Sequence, residues 1–179
     1  MKYCSNCGTL VDIRIPEGDT LPRHVCPTCN RIHYHNPKMV VGCIPKWEDK
    51  VLLCRRAIKP RCGLWTLPAG FMENSETLEQ AASRETMEEA NARVKIGNLY
   101  TIYNLPAINQ VYFLFLAELL DLNFQPGIES LEVKLFKEKE VPWDEIAFRV
   151  IGIPLKRYFK ECHTGEPSFY IDTLDNIDR

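Results

Sequence analysis

The sequence predicts a mixed α/β fold: a sheet flanked by helices, with a small cysteine-rich unit in front of it. Three observations carry the prediction. Two Cys-x-x-Cys pairs fall within residues 1–36. Short runs rich in β-branched and aromatic residues recur from residue 39 onward. One stretch, residues 77–91, carries apolar residues on one side of a helical period between those runs.

Composition narrows the classes first. The 179 residues are enough to bury a real core, and 45% hydrophobic with 26% charged is ordinary for a soluble globular chain. A net charge of −2, from 22 basic and 24 acidic residues, gives no general electrostatic case for nucleic acid. The most apolar stretch, "VYFLFLAELL" (111–120), contains Glu118 and is too short to span a membrane. The start, "MKYCSNCG", lacks the apolar centre of a signal peptide. A cytoplasmic protein with neither membrane nor nucleic-acid partner is the expectation. Eight cysteines then need a reason other than disulfides, which a reducing compartment disfavours.

Spacing supplies that reason for four of them. Cys4 and Cys7 form one C-x2-C pair, Cys26 and Cys29 a second, separated by residues 8–25. This is the spacing of a four-cysteine zinc site. Gly8, Pro27 and Asn30 favour the tight turns that aim two sulfurs at one ion. Four thiolates close a tetrahedral shell, so the site is structural. The intervening "LVDIRIPEGDTLPRHV" reads as a hairpin. So small a unit lacks core, and Zn²⁺ would supply on the order of 10 kcal/mol or more. His24, His33 and His35 read as surface or packing residues. Cys43 and Cys54 read as core, Cys62 as a loop residue, and neither these nor Cys162 is assigned a catalytic role.

The body follows in order. "MVVGCIPKW" (39–47) and "KVLLCRR" (50–56) are strands across the turn "EDK", and "GLWTLPAG" (63–70) is one short strand. The helix over 77–91 opens on a Thr77–Gln80 capping box and ends at Asn91. "RVKIGNLYTIYNL", "NQVYFLFLAEL" and "LEVKLF" (131–136) are further strands. "WDEIAF" and "VIGIPLKRYFKEC" read as helical, interrupted at Pro154.

That helix holds Glu85, Glu88 and Glu89 within two turns. Like charges at such spacing destabilise a helix by roughly 0.2–0.5 kcal/mol per pair. A solvated acidic face is the ordinary reading of a charge run. Opposite charge is nearly absent from that turn, however, and a Pro-Ala-Gly turn precedes it, so backbone carbonyls are at hand. Clustered oxygens of this type hold a hard cation such as Mg²⁺.

The stretch "GFMENSETLEQAASRETMEEANA" (70–92) resembles the Nudix box: Gly70, five residues, Glu76, seven residues, Arg84-Glu85, two residues, Glu88-Glu89. It departs at Asn91 and Ser75, where Gly is common, and at Thr86, where an aliphatic is common. The resemblance implies an α/β fold, the Nudix α/β/α sandwich with a mixed sheet, preceded by a small N-terminal zinc ribbon. The expected division is zinc ribbon 1–36, Nudix domain 37–160 and C-terminal tail 161–179. The resemblance also implies an enzyme that hydrolyses a nucleoside diphosphate linked to another group. Carried onto this chain, it makes Glu85, Glu89 and the Ala69 carbonyl ligands of catalytic Mg²⁺ (or Mn²⁺). Glu88 becomes a further ligand, or the holder of a water beside the metal. Arg84 pairs with Glu76 and orients the helix. A general base is expected on a loop before a late strand, where Glu129 and Glu132 stand; the residues alone leave each as readily a surface carboxylate.

The chain resembles most the zinc-ribbon branch that includes FAD and ADP-ribose pyrophosphatases, through "NPKMVVGCI", "GLWTLPAGFME" and "PGIESLEVKLF". NADH pyrophosphatases carry "SQPWPFP" after the box, where this chain has "TIYNLPAINQVYF". Pro106 resembles the ADP-ribose class. FAD is therefore the preferred substrate, ADP-ribose next, and NADH the alternative; a non-catalytic nucleotide sensor or zinc-ribbon binding module is the competing class. Arg55 and Arg56 are substrate-phosphate candidates against a solvated strand end. Trp65 and Tyr103 are stacking candidates against core packing. A homodimer is expected from the same resemblance.

Overall fold

The computed structural model describes residues 1–175, so the last four residues of the expected tail lie outside the described residues. The chain divides into two compact units, Met1–Asn36 and Pro37–Arg179.

The first unit is a three-stranded antiparallel sheet, β1 (Asp12–Arg14), β2 (Arg23–Val25) and β3 (Ile32–His33), in that spatial order. The hairpin between β1 and β2 is held from inside its turn. The Asp19 carboxylate accepts the N–H groups of Thr20 and Leu21 at 2.7 and 3.1 Å and the Arg23 Nε–H at 2.8 Å. Those bonds, Arg23 first, hold the Asp19 carboxyl at about 2.

The second unit is built on one mixed sheet. Its strands are β4 (Lys38–Trp47), β5 (Lys50–Arg56), β6 (Trp65–Thr66), β7 (Ala69–Phe71), β8 (Val94–Leu105), β9 (Gln110–Leu119), β10 (Ser130–Lys137) and β11 (Tyr170–Thr173). The order is β10-β5-β4-β9-β8-β11, with β6 on β5 and β7 on β4. The β4–β9 and β8–β11 pairs are parallel and the rest antiparallel. Helix α1 (Leu78–Ala90) and helix α2 (Arg149–Thr164) pack on opposite faces. Strand alternation decides which residue faces which helix. Val41 and Cys43 of β4, with Phe115 and Ala117 of β9, meet Ala81 and Ala82 of α1. Their neighbours Ile44 and Leu114 join Val150, Ile151, Leu155, Tyr158 and Phe159 of α2 in the larger core. Small alanines on α1 bring that helix close to the sheet, which matters because α1 carries the acidic cluster. Among the described residues no helix is long and apolar enough to cross a membrane.

Three local expectations need correction. The stretch 63–70 forms two short strands, β6 and β7, instead of one. Pro68 has no N–H for a ladder, and its carbonyl accepts the Cys43 N–H at 3.3 Å as the chain passes from β5 to β4. "WDEIAF" contains only a 3-10 turn, Trp143–Glu145, and α2 runs unbroken through Pro154. The ring costs the helix one backbone bond, about 3 kcal/mol in an isolated helix, but Pro154 is itself buried with the apolar face of α2, whose burial offsets that loss. Strand β11 has no counterpart among the expected elements; it joins the sheet edge by parallel pairing of Tyr170–Thr173 with Thr101–Asn104.

The pairing of β7 with β4 requires Gly42. A Cβ there would lie 2.4 Å from both the Pro68 carbonyl oxygen and the Ala69 Cβ. Backbone cannot yield as a side chain does, so Gly42→Ala should destabilise the domain by about 1–3 kcal/mol, read as a fall in the denaturant midpoint with unchanged m-value.

Candidate active site

The acidic cluster is positioned by the two ends of α1. At the start, Thr77 Oγ1 accepts the Gln80 N–H at 3.2 Å and Gln80 Oε1 accepts the Thr77 N–H at 2.7 Å, the reciprocal box read from the sequence. At the end, Asn91 adopts the left-handed conformation, φ 47°, and its N–H bonds the Met87 carbonyl at 2.8 Å. The departures from the box consensus have local answers. Asn91 and Ser75 (φ 69°) both take positive φ where Gly is common. Thr86 is fully buried, its hydroxyl donating to the Ala82 carbonyl at 2.8 Å and lying 3.1 Å from Cys43 Sγ.

Arg84 does more than the expected pairing. Its Nε and Nη2 grip Glu76 at 3.0 and 2.8 Å, and Nη2 also donates to the Phe71 carbonyl at 3.1 Å. Its Nη1 reaches Glu85 at 2.7 Å and Glu88 at 3.0 Å. One guanidinium thus ties the loop before the helix to two carboxylates of the cluster, and it holds Glu76 at about 2. Arg84 is the opposite charge that the sequence reading undercounted.

Glu85 and Glu89 are buried; Glu88 is more exposed. Burial pushes the Glu89 carboxyl up to about 8, and the neighbouring Glu85 charge adds to it, opposed by Arg56 and by a backbone hydrogen bond from Ala69. Burial also raises Glu85, against Arg84. Two buried carboxylates that resist joint ionisation, beside backbone at Ala69, form an oxygen donor set suited to a hard divalent cation. Gly70 gives the set its room. A Cβ there would lie 2.3–2.4 Å from the Glu85 carboxylate. Because a carboxylate is the movable end of its side chain, Gly70→Ala should leave the melting temperature nearly unchanged while raising the divalent-cation concentration needed for half-maximal activity about tenfold or more, read by metal titration of activity.

The cluster lies in a cleft of about 1270 Å³, larger than the ~300–1,000 Å³ of ordinary small-molecule sites. Ala69, Gly70, Glu85, Glu88 and Glu89 line it. Of the remaining candidates, Arg56 and Glu129 line it too, and both act on the Glu89 charge. Arg55, the next residue along β5, sends its Nε to the Gly63 carbonyl at 2.8 Å and pairs loosely with Glu132 at 3.8 Å, its cross-strand neighbour on β10. Trp65 lies in the core, edge-on to Phe136 at 4.8 Å, and Tyr103 is buried with it. Adjacent strand residues face opposite ways, which separates Arg55 from Arg56. Lys59 and Arg61, on the loop after β5, also line the cleft. The "KPRCG" segment had no periodicity to mark them.

In the first unit, the Sγ atoms of Cys4, Cys7, Cys26 and Cys29 all lie within 4.8 Å of one another. The Cys4–Cys29, Cys7–Cys26 and Cys7–Cys29 separations are 3.7, 3.4 and 3.7 Å. A tetrahedron with Zn–S of about 2.3 Å has edges of about 3.8 Å, so the four sulfurs fit zinc. The Asn6 and Cys29 N–H groups point to Cys4 Sγ and Cys26 Sγ at 3.4 and 3.5 Å. His24 and His35 stack on each other, and buried His33 places Nε2 3.3 Å from Cys4 Sγ, an outer contact of the kind that orients a ligand. As expected, Cys43 and Cys54 are buried and Cys62 is exposed.

Comparison with known proteins follows this division. Residues 36–155 match the NUDIX domain family and residues 2–35 match the Nudix N-terminal zinc ribbon. The chain belongs to the Nudix hydrolase family. A crystal structure of a NUDIX hydrolase from Nitrosomonas europaea is similar at 66% identity and TM-score 0.96, over 98% of this chain and 100% of that one. An ADP-ribose pyrophosphatase of Methanocaldococcus jannaschii is 29% identical over 63% of this chain and 68% of its own length. A NAD-capped RNA hydrolase NudC of Salmonella schwarzengrund is 31% identical over 79% of this chain. The match spans about half, 53%, of that NudC enzyme.

Proposed function

We propose that this Nudix hydrolase cleaves the pyrophosphate bond of an ADP-containing compound, with FAD, giving AMP and FMN, the preferred substrate and ADP-ribose next. The observation that carries the reading is the pair of buried carboxylates, Glu85 and Glu89, in a cleft large enough for a dinucleotide. In this account Glu85, Glu89 and the Ala69 carbonyl would hold Mg²⁺ or Mn²⁺, with Glu88 as a further ligand or the holder of a nearby water. A divalent ion bound there would neutralise the diphosphate and lower the pKa of a water for in-line attack. The water oxygen joins one phosphorus, the P–O–P bridge breaks, the other phosphate departs, and Glu129 takes the water's proton. Glu129 is preferred over Glu132 because it borders the cleft, while Glu132 faces Arg55. Arg56 steadies the phosphates from the cleft wall. Zn²⁺ on the four cysteines is structural.

ADP-ribose draws support from the relative named for it, and NADH, the second reading, shares the NAD group that the name of the NAD-capped RNA hydrolase NudC carries. The relative hydrolysis rates of FAD, ADP-ribose and NADH at equal concentration separate the three. FMN appearing fastest supports the first; reduced nicotinamide mononucleotide appearing fastest replaces it with the second. If all three substrates stay intact with Mg²⁺ present, a nucleotide sensor becomes the better account. The reading also places the enzyme in the cytoplasm, where its thiols stay reduced, as a homodimer acting on free nucleotides. A monomer by light scattering at micromolar concentration would end the dimer proposal.

A further inference from the structure

Residues 120–129 connect β9 to β10 and carry Glu129, and the second half of this connection is fastened to the end of α1. The Asn91 Nδ2–H₂ donates to the Gln125 and Pro126 carbonyls at 3.2 and 3.3 Å. The Gln125 N–H returns a bond to the Ala90 carbonyl at 2.9 Å, and the Gly127 N–H bonds the Glu89 carbonyl at 3.0 Å. Contact at Gly127 is so close that a Cβ there would fall 1.7 Å from the Glu88 carbonyl oxygen. Beyond it, the Ser130 N–H bonds the Gly127 carbonyl at 3.1 Å, and the Glu129 carbonyl accepts the Ala57 N–H at 2.8 Å. The backbone that positions Glu129 is thus tied directly to the two residues, Glu88 and Glu89, that the site reading places at the metal.

Asn91 occupies the helix terminus where Gly is common in the family. A glycine would supply the same left-handed conformation. It would supply neither side-chain donor. The side chain is therefore unnecessary for ending α1, and its two bonds lead only to the loop.

We infer that Asn91 is a positioning residue: its side-chain amide, with the close approach at Gly127, fixes the 125–129 loop so that Glu129 stands at the metal carboxylates. The inference rests on the proposed role of Glu129 as general base, and the two are separable by experiment.

The test is a double-mutant cycle on kcat and KM for the substrate turned over fastest, using Asn91→Gly, Glu129→Gln and the pair. Asn91→Asp is included because it keeps the shape and the tolerance of positive φ but cannot donate. Glu129→Gln should lower kcat about a hundredfold. Asn91→Gly and Asn91→Asp should each lower kcat about tenfold with KM within about twofold, since displacement of a reacting group acts on the chemical step. Melting temperature should shift little for Asn91→Gly. Within Glu129→Gln, adding Asn91→Gly should cost nothing further. Full activity in Glu129→Gln would overturn the base assignment and this inference with it. A large loss in Glu129→Gln beside wild-type kcat in Asn91→Gly would overturn the inference alone. Losses that multiply in the double variant would show that Asn91 acts by another route and would likewise overturn it.

Discussion

Glu89→Gln should lower hydrolysis about a hundredfold or more, beyond the 10–100-fold typical of losing a residue that merely orients a metal ligand. The same substitution should not lower the stability of the metal-free protein. The reason is the burial that lifts the Glu89 carboxyl to about 8. Between its unfolded value of about 4.3 and 8, the folded state binds the proton that the unfolded state has released. Stability of the metal-free enzyme therefore falls as pH rises through that window. Glutamine, which carries no charge to bury, removes that slope. Denaturant titrations at pH 5.5 and 8 with chelator check this: the wild type should lose stability at pH 8 relative to Glu89→Gln. Added Mg²⁺ should recover the wild type and leave the variant unchanged. Metal binding should release protons. A parallel pH response in both proteins would place the strain elsewhere.

Removing zinc should have the largest structural effect. The first unit holds few fully buried apolar groups, chiefly Val25 and two of the cysteines themselves. Its three strands are two or three residues long. Such a unit depends on its ion, and Zn²⁺ in comparable small sites contributes about 10–16 kcal/mol. Cys26→Ser, at the most buried of the four sulfurs, should bring zinc content from about one per chain to near zero. It should expose residues 1–36 to protease while the second unit, which begins at Pro37, keeps its cooperative melting. Retention of one zinc, or an undigested first unit, would contradict the assignment.

These two sites differ in how much of each could be read from the sequence. The four cysteines and the box are fixed-spacing patterns, so the candidate ligands came with their positions. The capping box at Thr77 and the left-handed Asn91 were likewise local chemistry. Strands β4, β5, β9 and β10 followed from alternation and apolar runs. What stayed hidden depends on tertiary pairing. The division of 63–70 follows from β7 pairing with β4 instead of β5, and β11 is a strand because β8 offers it an edge. Pro154 continues a helix because the core covers it. Among site residues, Arg55 and Arg56 carry identical side chains, and only the strand's facing separates the one on the cleft from the one on Glu132. Trp65 looked equally able to stack on substrate or fill the core, and packing against Phe136 puts it in the core. The second role of Arg84, bonding Glu85 and Glu88 as well as Glu76, needs the helix geometry to be seen.

The most direct test of the central claim is chromatographic detection of AMP after incubation with FAD, ADP-ribose or NADH, each with Mg²⁺ and with chelator. The account predicts AMP and the partner phosphate in equal amounts from at least one of the three, only with metal and only with Glu89 present. No AMP from any of them under metal-replete conditions, or AMP released undiminished in chelator, would contradict it.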